Sequence, residues 1–300
     1  MKNTVFVHTN EKQILGAMVA RHALLRNSKA PGSFEVRVLR AEDFPVLTAR
    51  EGQLYLREGK MQPWKNDDLQ SFPPLRFAVP SEMGYSGRAV VIDPDVFALG
   101  DVRELPERDM KGHAVLARRM PDDFRRPRHW ASSVMLLDCA KLKHWQLERD
   151  FAALFEGKRD YRDWNWLLLE PEGSVGELEH VWNDFDQLTP QTRMLHNTHR
   201  RTQPWKTGLP ADFTTRGTTR SARWGQLVRR TRNALLGVSS APNGYYRAHP
   251  DSAQERFFFS LLGECLAEGS ISEALVRREI EFGHVRADTL ELAHQHRSAA

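Results

Sequence analysis

Apolar residues along this chain gather in short runs separated by polar turns. Thr4-Val5-Phe6-Val7 reads as a first strand, ending at His8-Thr9-Asn10. Over residues 11–26 the spacing changes: Ile14, Met18 and Leu25, with Ala17 and His22 alongside, recur at helical intervals. Residues 34–39 form a second strand with partial alternation. Strand, helix, strand is the opening of a parallel α/β sheet. Residues 75–83 predict a helix, and Gly84-Tyr85-Ser86-Gly87 a turn. Ala89-Val90-Val91-Ile92 is then a buried strand that runs straight into Asp93-Pro94-Asp95 before apolar residues resume at Val96-Phe97. Further strands are predicted at 113–117 and 133–137, a helix at 141–156, and a short strand at Met194-Leu195-His196. No Gly-x-Gly-x-x-Gly follows the first strand, which argues against a dinucleotide-binding domain. From about Gly208 the character shifts. Residues 213–250 hold seven arginines and no acidic residue, and 251–300 return to a helical pattern. The pattern therefore predicts a main α/β domain over 1–210, a basic linker with an amphipathic helix over 211–250, and a helical appendage over 251–300.

Composition narrows the class. At 40% hydrophobic and 9% aromatic, the 300-residue chain can bury a sizeable core. With 43 basic and 39 acidic residues the net charge of +4 is too mild to imply nucleic-acid binding. Cys139 and Cys265 are the only cysteines, so neither a disulfide framework nor a cysteine zinc site is available. The expectation is two buried thiols in a reducing, cytoplasmic setting, with no signal peptide and no apolar run of membrane-spanning length.

The candidate chemistry sits at the end of the Asp93 strand. Open α/β sheets bind ligands beyond the carboxyl ends of their strands. Two aspartates one residue apart there can both reach one hard divalent cation, and such a cation commonly bridges a diphosphate. Asp-Pro is also ordinary turn chemistry. The surrounding motifs decide between the two.

Four segments, in order, resemble bacterial sugar transferases of glycosyltransferase family 8, with the GT-A fold. They are Arg76-Phe77-Ala78-Val79-Pro80; Val91-Ile92-Asp93-Pro94-Asp95-Val96 with the trailing Gly100-Asp101-Val102-Arg103-Glu104-Leu105; Ala131-Ser132-Ser133-Val134-Met135-Leu136-Leu137; and His196-Asn197-Thr198 through Thr202-Gln203-Pro204-Trp205-Lys206. Trp182-Asn183 also fits, and the resemblance spans residues 1–210. It implies an α/β, GT-A-like nucleotide-diphospho-sugar transferase fold with a mostly parallel central sheet flanked by helices. It implies that Asp93, Asp95 and His196 hold a metal on the donor diphosphate. An imidazole beside carboxylates suits Mn2+ better than Mg2+. By the same resemblance Thr9 meets the nucleoside, Arg76 the diphosphate, and Ser132 and Ser133 the sugar, with Gln203, Trp205 and Lys206 closing over the phosphates. Three departures stand out. Gln203 replaces the lysine of the closing Lys-Pro-Trp. Ala131 and Ser133 replace the asparagine and glycine of the donor-sugar strand. Asp163 is the best candidate for the reacting-sugar aspartate, and a helix-start aspartate is its plain alternative.

The sequence thus predicts a cytoplasmic, Mn2+-dependent and retaining glycosyltransferase. It would use a nucleotide-sugar donor, UDP-linked by the resemblance, and a glycan or lipid-linked acceptor. The arginines of 118–129 suit an anionic acceptor or a solvated surface. The helix over 222–236, with Trp224, Leu227, Val228, Thr231 and Leu235 on one stripe and arginines off it, suits an anionic membrane face or a protein core. Two alternatives stay open: a metal-dependent nucleotidyltransferase or phosphohydrolase, and a nucleotide-sugar-binding protein without turnover.

Overall fold

A computed structural model describes residues 3–121, 129–211 and 244–297. The chain divides into two compact units, residues 1–197 and 198–300.

The first unit is α/β. Strand β1 (Asn3–Thr9) and strand β2 (Phe34–Arg40) lie parallel, in register from Asn3↔Phe34 to Thr9↔Arg40. Parallel neighbours need a crossover, and α1 (Ile14–Arg26) supplies it. A short α2 (Pro45–Thr48) leads to the hairpin β3 (Leu54–Arg57) and β4 (Lys60–Pro63). Its two-residue turn, Glu58-Gly59, has positive φ at both positions, 53° and 71°, the backbone that matches strand twist in a tight hairpin. Then come α3 (Val79–Glu82), β5 (Arg88–Ile92), β6 (Val96–Ala98), β7 (Val115–Met120) and β8 (His129–Asp138). Helices α4 (Leu147–Phe155) and α5 (Tyr161–Asn165) precede β9 (Val175–Glu177), β10 (Asp184–Phe185) and β11 (Met194–His196).

The central sheet runs β2-β1-β5-β8-β7-β9. Three of its five pairings are parallel, with β8 antiparallel to β5 and β7. β1 and β5 are buried along nearly their whole length, which is why both read as unbroken apolar runs. A second sheet, β10-β11-β6, continues from the end of β5. An aromatic core fills the space beside the hairpin. Trp64 meets Phe151 edge-on at 4.9 Å, and Phe77 stacks on Trp164 at 4.2 Å.

Two predicted elements differ in detail. The helix expected at 75–83 is a 3-10 turn, Pro73–Ala78, followed by α3. The stretch closes with a three-residue spacing, the Leu75 amide donating to the Phe72 carbonyl at 2.9 Å. The helix expected from 141 begins at Leu147 because Leu142 and Trp145 first drop into the core, and Asp150 accepts the Gln146 amide.

The second unit holds α6 (Ser252–Glu268), α7 (Glu273–Glu281) and α8 (Thr289–Arg297). Asp251 and Ser272 cap the first two, and Gly269 ends α6 in the left-handed conformation. Trp205 packs on Phe258 within this unit, with ring centroids 4.6 Å apart. Among the described residues no helix is long and apolar enough to cross a membrane.

Candidate metal and donor site

Strand register builds the site. β1 and β5 run parallel with Val7 beside Ile92, so His8 and Asp93 follow side by side at their carboxyl ends. β8 runs the other way with Val134 beside Ile92, and the Asp93 amide donates to the Ser133 carbonyl at 2.9 Å. The Asp93-Pro94-Asp95 turn then feeds β6, which pairs with β11 so that His196 faces Val96. The Asn197 amide donates to the Asp95 carbonyl at 3.1 Å and fastens the two segments together. Helix α1 supports the turn from beside it. A Cβ on Gly16 would lie 2.7 Å from the Pro94 carbonyl oxygen, so only glycine lets the helix approach this closely.

Asp93, Asp95 and His196 converge as expected. One ligand atom from each lies within 4.8 Å of the others, a donor set of two carboxylates and an imidazole that fits a divalent cation such as Mn2+. His196 Nε2 stands 3.3 Å from Asp95 Oδ1. Its Nδ1 meets Asn183 Oδ1 at 2.9 Å, while Asn183 Nδ2 donates to Ser133 Oγ, also at 2.9 Å. The amide thereby places a ring proton on Nδ1 and turns Nε2 toward the carboxylates, the outer-shell arrangement that orients histidine ligands. Burial works against charge on His196, but Asp95, then Asp93 and Asp186, outweigh it and raise its pKa above the ordinary value. Phe185 packs edge-on to the His196 ring at 5.3 Å.

Asp93 is tightly held. Arg76 Nη2 reaches Asp93 Oδ1 at 2.6 Å and Oδ2 at 2.8 Å, and His8 Nε2 lies 2.8 Å from Oδ1. Burial would raise the Asp93 pKa, yet Arg76 and His8 overcome it and hold the carboxyl far below the usual range. The same arginine sends Nη1 to Ser132 Oγ at 2.6 Å and to Asn165 Oδ1 at 3.4 Å, and its Nε faces His8 Nε2 at 3.1 Å. Every donor of its guanidinium therefore faces a protein group. The diphosphate contact expected of Arg76 would require one of them to be given up. His8 is fully buried, desolvation lowers its pKa against the pull of Asp93, and its Nδ1 has no partner among the described residues.

The remaining predicted residues separate by location. Thr9 is buried at the end of β1, its hydroxyl on the Asn10 carbonyl. Ser132 and Ser133 are buried on β8, one bonded to Arg76 and the Asn165 carbonyl, the other to Asn183. Asp163 lies on α5 beside Arg162, 34% exposed, while Asn165 of the same helix is the residue that bonds Arg76. Gln203, Trp205 and Lys206 belong to the second unit, where each is buried and Lys206 Nζ lies 5.4 Å from the Tyr246 ring centroid. The basic segment 118–129 is described only at its ends, and the amphipathic stretch 222–236 lies outside the described residues. His8, Gly16 and Asn165 are site residues that sequence reading did not single out.

No protein-family model and no curated protein matches the chain. Solved structures that resemble it include glycosyltransferases. GlyE of Streptococcus pneumoniae TIGR4 is similar at 16% identity and a TM-score of 0.47, over 80% of this chain and 65% of GlyE. The chain thus spans less than two thirds of that relative. Galactosyltransferase LgtC, in complex with donor and acceptor sugar analogs, is similar at 12% identity and a TM-score of 0.46, over 79% of this chain and 96% of LgtC. Mouse xyloside xylosyltransferase 1 is similar at 15% identity and a TM-score of 0.42, over 66% of this chain and 98% of its own.

Proposed function

We propose that this chain is a metal-dependent glycosyltransferase of the GT-A kind, moving a sugar from a nucleoside-diphosphate donor, UDP-linked, to a glycan or lipid-linked acceptor. The observation that carries the reading is the convergence of Asp93, Asp95 and His196 at the carboxyl end of β5, with His196 oriented by Asn183. Two carboxylates and an imidazole gathered at strand ends favour phosphate-bridging chemistry over a plain turn.

In this reading Asp93, Asp95 and His196 hold Mn2+, which when bound neutralises charge growing on the departing diphosphate. The chain's own residues do the rest. Thr9 and its neighbours receive the nucleoside where β1 ends. Asn183 keeps His196 in the ligating tautomer, and Arg76 aligns Asp93 with Ser132. Ser132 and Ser133 line the sugar side. Retention of configuration, a cytoplasmic location and contact of 222–236 with an anionic membrane belong to the same proposal.

A thermal-shift panel tests it. UDP, GDP, CMP, dTDP and their common sugars are added with and without Mn2+, to wild type and to Asp95→Asn. A ligand at 100 times its dissociation constant adds about 2.7 kcal/mol of stability. The expected result is a Mn2+-dependent shift for one nucleotide class, UDP, that Asp95→Asn abolishes. No shift with any nucleotide would overturn the reading.

A further inference from the structure

The first aspartate of the pair is already engaged in the protein as it stands. Asp93 Oδ1 faces two nitrogens, Arg76 Nη2 at 2.6 Å and His8 Nε2 at 2.8 Å, and Oδ2 faces Arg76 Nη2 at 2.8 Å. A carboxylate offers roughly four lone-pair positions. The two Arg76 bonds take one position on each oxygen, and the His8 ring edge 2.8 Å from Oδ1 crowds the other side of that oxygen, so the open position for a metal is on Oδ2. The engagement is also electrostatic. Arg76 and Asp93 are nearly buried, with side chains 7% and 14% exposed, so their charges are weakly screened. Counting Arg76, the two ligand carboxylates carry one net negative charge rather than two.

This has a definite effect on a cation arriving alone. It would meet a single open lone pair on Asp93 and a fixed guanidinium on the same carboxylate, a like charge at close range. A nucleoside diphosphate reverses that balance, because it brings two or more negative charges and further oxygen ligands. The guanidinium then changes from a competitor of the metal into a partner of the phosphate-bearing complex. Resting on the transferase reading of the site, we infer that Arg76 is a positioning residue that withholds Asp93 from a bare divalent cation, so that metal and donor diphosphate are captured together. The two ligands are coupled through Asp93, and the coupling is reciprocal by linkage: each tightens the other by the same factor. Arg76 stays in place through its bonds to Ser132 and Asn165, which no ligand needs to displace.

The experiment is a Mn2+ titration followed by the loss of the free-ion electron paramagnetic resonance signal. It is run on the full chain alone and with saturating UDP, with GDP, CDP, dTDP and ADP in parallel. The affinity of each nucleotide for Mn2+ without protein is subtracted. Wild type should bind Mn2+ at least about tenfold more tightly with the cognate nucleotide than without it. Arg76→Gln removes the charge and keeps hydrogen-bonding capacity toward Ser132 and Asn165. It should bind Mn2+ alone at least about tenfold more tightly than wild type, and the gain from nucleotide should shrink. Arg76→Lys keeps the charge and should stay weak toward Mn2+ alone. Equal Mn2+ affinity of wild type with and without nucleotide would overturn the inference and leave the transferase reading standing. So would an Arg76→Gln protein, folded by circular dichroism, that binds bare Mn2+ no better than wild type. Should Arg76→Gln fail to fold, the wild-type comparison decides. No Mn2+ uptake under any condition would overturn the transferase reading itself.

Discussion

Asn183 shows how a single side chain sets the chemistry of another. It has no contact with solvent, accepts from His196 Nδ1 and donates to Ser133. Replacing it with alanine would leave a buried ring N–H and a buried hydroxyl without these partners, at a cost of about 1–3 kcal/mol. It would also free the imidazole to rotate. Asn183→Ala should therefore weaken Mn2+ binding in the presence of nucleotide by about 10–100-fold, the usual effect of losing an outer-shell partner. A titration that shows reduced melting temperature but unchanged metal affinity would assign Asn183 a structural role only. Asp93, Asp95 and His196 were legible in the sequence because strand-end aspartates and a histidine before Pro-Trp are patterns along the chain. His8 and Asn165 were not, because their meaning lies in partners supplied by other elements. His8 matters only once β1 and β5 are in register, and Asn165 only once α5 lies against Arg76.

Elements carry the next level of constraint. The turn between the two aspartates is shaped as much by α1 as by its own residues, since Gly16 gives the helix room against the Pro94 carbonyl. Gly16→Ala would gain helix propensity but drive a methyl into backbone 2.7 Å away. The net cost should be about 1–3 kcal/mol, as for other overpacked sites, with the Mn2+-dependent nucleotide shift reduced as Pro94 moves. An unchanged shift in a stable Gly16→Ala protein would show that the turn does not depend on the helix. A helical pattern around a glycine does not reveal which carbonyl lies opposite, so this packing was invisible in the sequence.

Downstream of the Asp93-Pro94-Asp95 turn, Asp101 accepts the Arg103 and Lys29 amides. Burial would raise its pKa, but the Arg103 side-chain bond and these amides bring it to about 2. A carboxyl with a depressed folded-state pKa stabilises the fold above its unfolded value of about 3.9, and that stability is lost as pH falls from there toward the folded value. Asp101→Asn should flatten acid unfolding between about pH 4 and about pH 2 and cost about 1 kcal/mol at neutral pH through loss of the charge paired with Arg103. Identical acid limbs in the two proteins would argue against this assignment. The strands themselves were readable, because apolar runs buried on both faces leave little ambiguity. The helix boundaries at 75–83 and 141–156 were less so, because Pro73-Pro74 and the anchors Leu142 and Trp145 shift the helix starts for reasons of backbone and core.

At the scale of the whole molecule, the α/β class, the mostly parallel central sheet and the helical C-terminal region follow the periodicities of the chain. Within the second unit the packing again depends on one small residue. A Cβ on Gly263 of α6 would lie 2.4 Å from the Ala293 carbonyl of α8. Gly263→Ala should separate these helices and speed amide exchange over residues 252–297, and unchanged exchange would show that the contact yields without cost. The central claim, however, concerns one cation at one place. It is tested most directly by crystals grown with Mn2+ and UDP and measured for anomalous scattering at the manganese edge. The account predicts one peak ligated by Asp93, Asp95 and His196 and shared with the diphosphate, absent in Asp95→Asn crystals. Nucleotide bound with no peak among these three side chains, or a peak bound elsewhere, would contradict it.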